Sequence, residues 1–243
     1  MRYRVSWTPT PATRSSGRCS VAVHVVLVVV LVFAAADWLA VARDQRRLEF
    51  ACKPATLIAL VIGAWWLTRG PHDPWQARFF LPALGFSLAG DIFLMLRGKR
   101  FFLAGLVAFL LAHVCYAVGF NPTLPPRPSL LILIPVVGVG YVLFRRLAQG
   151  LRARGEEKML GPVAVYSLVL SWMLFSAWAT LFRPGWAAAR QGLAIGGASL
   201  FFVSDAMLAW DRFVAPFPLA RLWIHVTYHL GQIALAASIA LTW

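Results

Sequence analysis

The chain has 243 residues, of which 60% are hydrophobic and 13% charged, with a mean hydropathy of +0.72. A soluble domain carries about 25% charged residues, so this composition excludes an ordinary soluble fold and places the chain in the membrane class. The net charge of +14 would suggest nucleic acid in a soluble protein. Here most basic residues lie between apolar segments, where they set topology and meet anionic headgroups, and no nucleic-acid partner is expected. Cys19, Cys52 and Cys115 are far apart and show no metal-ligand or redox spacing.

Residues 1–20 hold Arg2, Arg4, Arg14 and Arg18 among Ser, Thr and Pro, and read as a disordered basic tail. Apolar segments follow at 21–42, 51–68, 79–96, 101–120, 130–144, 160–182, 192–210 and 223–243. Most reach the ~20 residues a helix needs to cross the hydrocarbon core. The fifth is short and contains Pro135, Gly138 and Gly140. The expected fold is therefore all-α: a polytopic membrane helix bundle with about eight transmembrane helices, forming one domain over 21–243. The first segment also resembles a signal peptide cleaved after Ala34-Ala35-Ala36, but its apolar run continues through Trp38, Leu39, Ala40 and Val41, which favours a retained span. The loops after the first, third, fifth and seventh segments hold 13 Lys/Arg against 5 in the other loops, to which the N-terminal tail adds 4. The positive-inside rule assigns the first set to the cytoplasm and the N-terminus to the outside.

Ionisable residues inside spanning helices are costly, and so are functional candidates. The segments contain Asp37, Lys53, Asp91, His113, Asp205, His225 and His229. Because the helices alternate in direction, relative depth can be read without absolute orientation. Asp37, Asp91 and Asp205 each lie about five residues before the ends of segments one, three and seven, while Lys53 and His225 lie just inside the starts of segments two and eight. All these ends open on one side, from which Tyr166 also enters segment six. His113 lies deeper, roughly 18 Å along its helix at 1.5 Å per residue. A shared polar cavity is expected. His225, Tyr228, His229 and Gln232 have the spacing of a single helix face, as do His113 with Tyr116 and Ser87 with Asp91. Gly196, Gly197, Ala198 and Ser199 suit close helix packing.

Structural readings stand beside these. Asp37 and Lys53 are near helix ends and can snorkel, Lys53-Pro54 fits an ordinary helix start, and His225 fits the interface zone. His113 fits an interhelical hydrogen bond. Asp91 and Asp205, carboxyls in otherwise apolar runs, fit a structural reading least.

The stretches CKPATL at 52–57, GFSLAGDIFLML at 85–96, FLLAHVCYAVGF at 109–120, GGASLFFVSDAMLAW at 196–210 and TYHLGQ at 227–232 resemble, in order, the YhhN-type lysoplasmalogenase family of multi-spanning membrane proteins. The family pattern falls on Lys53, Pro54, Gly90, Asp91, His113, Tyr116, Ser204, Asp205, Tyr228 and Gln232. This sequence departs from it at Ala112, where glycine is usual, and at His229, where an aromatic or small residue is usual. The resemblance implies hydrolysis of the vinyl ether bond of a lysoplasmalogen, with a lysophospholipid substrate and no cofactor or metal. It also suggests a bacterial plasma membrane as the setting.

Vinyl ether hydrolysis needs a proton donor for the β-carbon and a negative group to stabilise the resulting oxocarbenium ion. Two carboxyls in different environments can divide those roles. Asp91 and Asp205 are the expected catalytic pair. Lys53, His113, Tyr116, Ser204, Tyr228 and Gln232 are expected to bind or position substrate. Two alternatives differ in kind: a zinc-dependent lipid hydrolase using Asp91, His113, Asp205, His225 and His229, and a lipid binder or transporter without chemistry.

Overall fold

A computed structural model describes residues 15–240, with side chains from 24 onward. Among these are eight α-helices: α1 (Ser15–Ala42), α2 (Arg46–Leu67), α3 (Pro74–Met95), α4 (Lys99–Phe120), α5 (Leu130–Ala153), α6 (Leu160–Trp178), α7 (Ala188–Phe213) and α8 (Ala220–Ala237). The first seven are long and apolar enough to cross a membrane. Helix α8 is shorter and buries a polar face of His225, Tyr228, His229 and Gln232, so its composition understates how deeply it is held. The basic tail expected over 1–20 lies outside the described residues as far as position 14, and α1 begins at Ser15.

Helix bounds follow the apolar runs, with interfacial residues added at the ends. The largest difference is α5, which runs on to Ala153 where the apolar run ends near 144. Its extension is amphipathic. Leu147, Ala148 and Leu151 are buried, the leucines against Met159, Val163 and Phe213, while Arg145 and Arg146 stay exposed. An apolar stripe on one side is enough to hold a helix whose other side is charged.

The tightest partners are sequence neighbours: α1 with α2, α3 with α4, and α7 with α8. Gly98, at φ +120°, makes the turn between α3 and α4, a conformation that glycine adopts at little cost. Helix α8 also touches α1, α2 and α3. Where α7 meets α8, Gly197 faces Gly231, and a Cβ on Gly197 would lie 2.9 Å from the Gly231 carbonyl oxygen. Of the small-residue stripe, Gly197 makes this approach, while Gly196 faces open space. Phe80, Tyr116, Phe120, Phe201 and Leu235 fill the core.

At the end of the bundle away from the α3–α4 turn, Arg190 joins three helices. It donates to Asp73 Oδ2 at 2.8 Å, Gln76 Oε1 at 2.7 Å and the Ser238 carbonyl at 3.1 Å. Asp73 also caps α3 by accepting from the Gln76 amide at 3.0 Å. Partial burial pushes the Asp73 carboxyl up, but the bonds from Arg190 and the backbone amides outweigh it and hold the group below its ordinary 3.8. A depressed carboxyl contributes stability that is present above its unfolded value and is lost as pH falls through the folded one. Thermal unfolding in detergent should therefore show Asp73→Asn less stable than wild type at neutral pH, with the gap closing as pH falls below 3.8. A gap independent of pH would mean that the carboxylate charge contributes nothing here.

Candidate functional site

The antiparallel order of the helices brings the start of α2, the end of α3, the end of α7 and the start of α8 to one end of the bundle. Lys53, about two turns into α2, reaches across to α3 and places Nζ 3.0 Å from Asp91 Oδ1. Asp91 is fully buried. Its other oxygen, Oδ2, accepts from the Tyr228 hydroxyl at 2.8 Å, and the Lys53 ammonium also lies 5.5 Å from the Tyr228 ring centroid. Both oxygens of this carboxyl are thus engaged, one by a cation and one by a neutral donor.

Asp205 has a different environment. His113 Nε2 lies 2.8 Å from its Oδ2, and the Tyr166 hydroxyl donates a hydrogen bond to the same oxygen. His113 Nε2 and Tyr166 Oη are themselves 3.0 Å apart. The T-shaped packing of His113 against Phe201, with centroids 4.6 Å apart, fixes the imidazole from behind.

The remaining expected residues divide by position. Tyr116 donates to Gln232 Oε1 at 2.6 Å, deeper between α4 and α8. The Gln232 amide nitrogen is buried without a hydrogen-bond partner. Ser204 gives its hydroxyl to the Ile224 carbonyl at 3.0 Å, so it ties α7 to α8. Asp37 does not snorkel. It is fully buried, with Oδ2 2.7 Å from His225 Nδ1. His229 accepts from the Trp38 indole at 3.1 Å.

A cavity of about 180 Å³ opens beside Lys53, Asp91, Tyr228, Asp205 and His225. Its walls include Glu49, Lys53, Asp91, Asp205, Arg221 and His225, with Arg46 among the other lining residues. An apolar crevice of about 40 Å³ lies beside it, walled by Phe102, Leu106, Leu143, Leu147, Val163 and Leu170. Leu94, Phe109, Asp205 and Leu208 line both. Asp205 therefore stands where a polar chamber meets an apolar one. Ligands of this shape are amphiphiles: a charged headgroup for one side and a hydrocarbon chain for the other. The crevice is far smaller than an acyl chain, so most of such a chain would lie in the surrounding lipid.

The five residues weighed as zinc ligands fall into separate pairings, and among the described residues no group of three His, Cys, Asp or Glu has metal-binding geometry. The sequence placed Tyr166 and Asp37 at the depth of the expected cavity without giving them a role, and left Glu49 and Arg221 out of it. Arg221 bridges Glu49 at 2.6 Å and Asp44 at 2.8 Å, at the outer edge of the same chamber.

Fold and site together define a multi-spanning membrane protein that keeps carboxyls, a lysine and histidines in a chamber at one end of its helix bundle. The chain belongs to the YhhN family, whose model matches residues 48–239. Its relatives include "Lysoplasmalogenase TMEM86B" of Rattus norvegicus, 32% identical over 187 residues, which cover 77% of this chain and 70% of that protein. The Homo sapiens protein of the same name is 37% identical over 64% of this chain and 61% of its own length. A "Lysoplasmalogenase" of Mycobacterium tuberculosis is 30% identical over 57% of this chain and 51% of its own. No solved structure matches the chain.

Removing one partner of a buried ion pair strands the other charge, at a cost of about 3–5 kcal/mol. Lys53→Met should therefore lower the thermal midpoint sharply, and adding Asp91→Asn should recover much of the loss. A double variant no more stable than Lys53→Met alone would show that the pair is not coupled as its 3.0 Å separation implies.

Proposed function

We propose that this protein is a membrane-embedded lysoplasmalogenase that cleaves the vinyl ether bond of a lysophospholipid. The products are a fatty aldehyde and a glycerophospho-ethanolamine or -choline. The names of its relatives support this reading of the substrate. The position of Asp205 between polar and apolar chambers carries the assignment of the chemistry. A vinyl ether lies at that same junction within its own lipid, one atom from the glycerol and at the head of the chain.

Asp205 is the proton donor in this scheme. As a neutral acid its carbonyl oxygen, Oδ2, accepts from Tyr166 and His113, which leaves the proton on Oδ1. The proton passes from Oδ1 to the β-carbon of the vinyl ether, leaving an oxocarbenium ion. Asp91 stabilises that cation electrostatically. Its ion pair with Lys53 and the bond from Tyr228 hold its two oxygens in place. A fixed charge in a water-poor site costs no reorganisation during reaction. Arg46 and Arg221, at the polar chamber, suit the substrate phosphate. His113, Tyr116, Tyr228, Gln232 and Ser204 shape and brace the chamber.

Detergent-purified protein incubated with a lysoplasmalogen should release fatty aldehyde. Asp205→Asn removes the transferable proton and should reduce the rate by about 10²–10⁴-fold, the usual contribution of a general acid. Asp91→Asn should reduce kcat with less effect on KM, because its charge acts in the transition state. A folded double Asn variant with full activity would overturn the scheme. Binding of the lipid without aldehyde from wild type would leave a lipid-binding role instead.

A further inference from the structure

Collapse of the hemiacetal needs an acid for the departing glycerol oxygen and a base for the hydroxyl at the same time, and Asp205, left as a carboxylate by the first step, is only one of them. A second proton-transfer group is therefore needed, and it can take the proton of the attacking water. Asp91 is ion-paired with Lys53 and accepts from Tyr228, and Glu49 is ion-paired with Arg221. His225 lines the cavity with Asp91, Lys53 and Asp205, and its Nδ1 lies 2.7 Å from the fully buried Asp37. With its proton on Nδ1 and donated to Asp37, the imidazole keeps a lone pair on Nε2. The nearest carboxylate oxygen to that nitrogen is Glu49 Oε1 at 3.9 Å, beyond hydrogen-bond range, so Nε2 is left available to the chamber. A carboxylate behind one ring nitrogen fixes the tautomer and orientation and stabilises the imidazolium that forms.

We infer that His225 is the base that activates the attacking water, with Asp37 as its positioning residue. The inference rests on the vinyl ether reading above. Asp205 protonates the β-carbon and becomes a carboxylate. Water oxygen then bonds to the oxocarbenium carbon, and one water proton moves to His225 Nε2, giving a neutral hemiacetal. The carbon–oxygen bond to glycerol breaks as the imidazolium returns its proton to the departing glycerol oxygen. The hemiacetal hydroxyl proton goes to Asp205. One water is consumed, and both groups end as they began.

Other charges face His225 from every helix that packs around it: Asp37 on α1, Glu49 and Lys53 on α2, Asp91 on α3, Asp205 on α7, and Arg221 and His229 on α8. A pH profile would therefore mix several titrations, and an isotopic readout separates them.

The test is turnover in D2O, with the unreacted substrate recovered and examined for deuterium at the vinyl β-carbon. If water addition is slowed while protonation persists, the oxocarbenium ion reverts by losing a proton from that carbon, and deuterium enters the substrate. His225→Gln should form aldehyde about 10²–10⁴-fold more slowly, while its recovered substrate gains deuterium and wild-type substrate does not. Asp37→Asn should lower kcat with KM unchanged and show the same exchange, whereas a merely structural loss would reduce aldehyde and exchange together. The inference is overturned if His225→Gln turns over like wild type. It is also overturned if that variant unfolds at the wild-type temperature yet shows neither aldehyde nor exchange. No aldehyde from wild type would overturn the vinyl ether reading and this inference with it; the two preceding results would overturn the inference alone.

Discussion

A charge inside an apolar helix bundle must be met by an opposite charge or by donors within reach, because the surrounding hydrocarbon offers none. At Lys53 and Asp91 this requirement joins α2 to α3 across 3.0 Å, and the Tyr228 hydroxyl adds α8. The same requirement places His113 and Tyr166 at Asp205, which joins α4 and α6 to α7. His225 at Asp37 closes the set by joining α8 to α1. Seven helices are thus tied to one chamber through polar contacts that the hydrophobic core alone would not specify.

The cost of these buried groups explains why the rest of the bundle is so closely packed. Polar pairs add little net stability to a membrane protein, so the helices depend on close van der Waals contact elsewhere. The Gly197–Gly231 approach supplies it between α7 and α8. The Arg190 cluster at the other end fixes α3, α7 and α8 relative to one another. The helices that carry Asp91, Asp205 and His225 are therefore anchored at the end remote from the chemistry. The chamber end keeps a cavity of about 180 Å³.

Much of this could be read from the sequence for one physical reason: an ionisable residue is conspicuous in an apolar run. Lys53, Asp91, His113 and Asp205 stood out on that basis, and the alternation of helix direction gave their common depth. The residues whose part in the site escaped were those whose surroundings disguised it. Tyr166 is an aromatic near a helix start, where interfacial tyrosines are ordinary. Glu49 and Arg221 stand among the charges that set topology. Asp37 has the spacing of a snorkelling side chain, and only the fold shows that His225 lies behind it. Ser204 entered through the family resemblance alone; the fold sets it at the chamber wall and gives its hydroxyl to the Ile224 carbonyl. The length of α5 was hidden because its last turns are amphipathic, not apolar throughout.

Proton transfer to carbon is the central claim, since it separates vinyl ether hydrolysis from the cleavage of an ester or phosphodiester. Turnover in D2O, with the released aldehyde reduced at once to its alcohol and analysed by mass spectrometry, tests it most directly. The account predicts one solvent deuteron on the carbon next to the former carbonyl. Aldehyde released without deuterium at that carbon would contradict it.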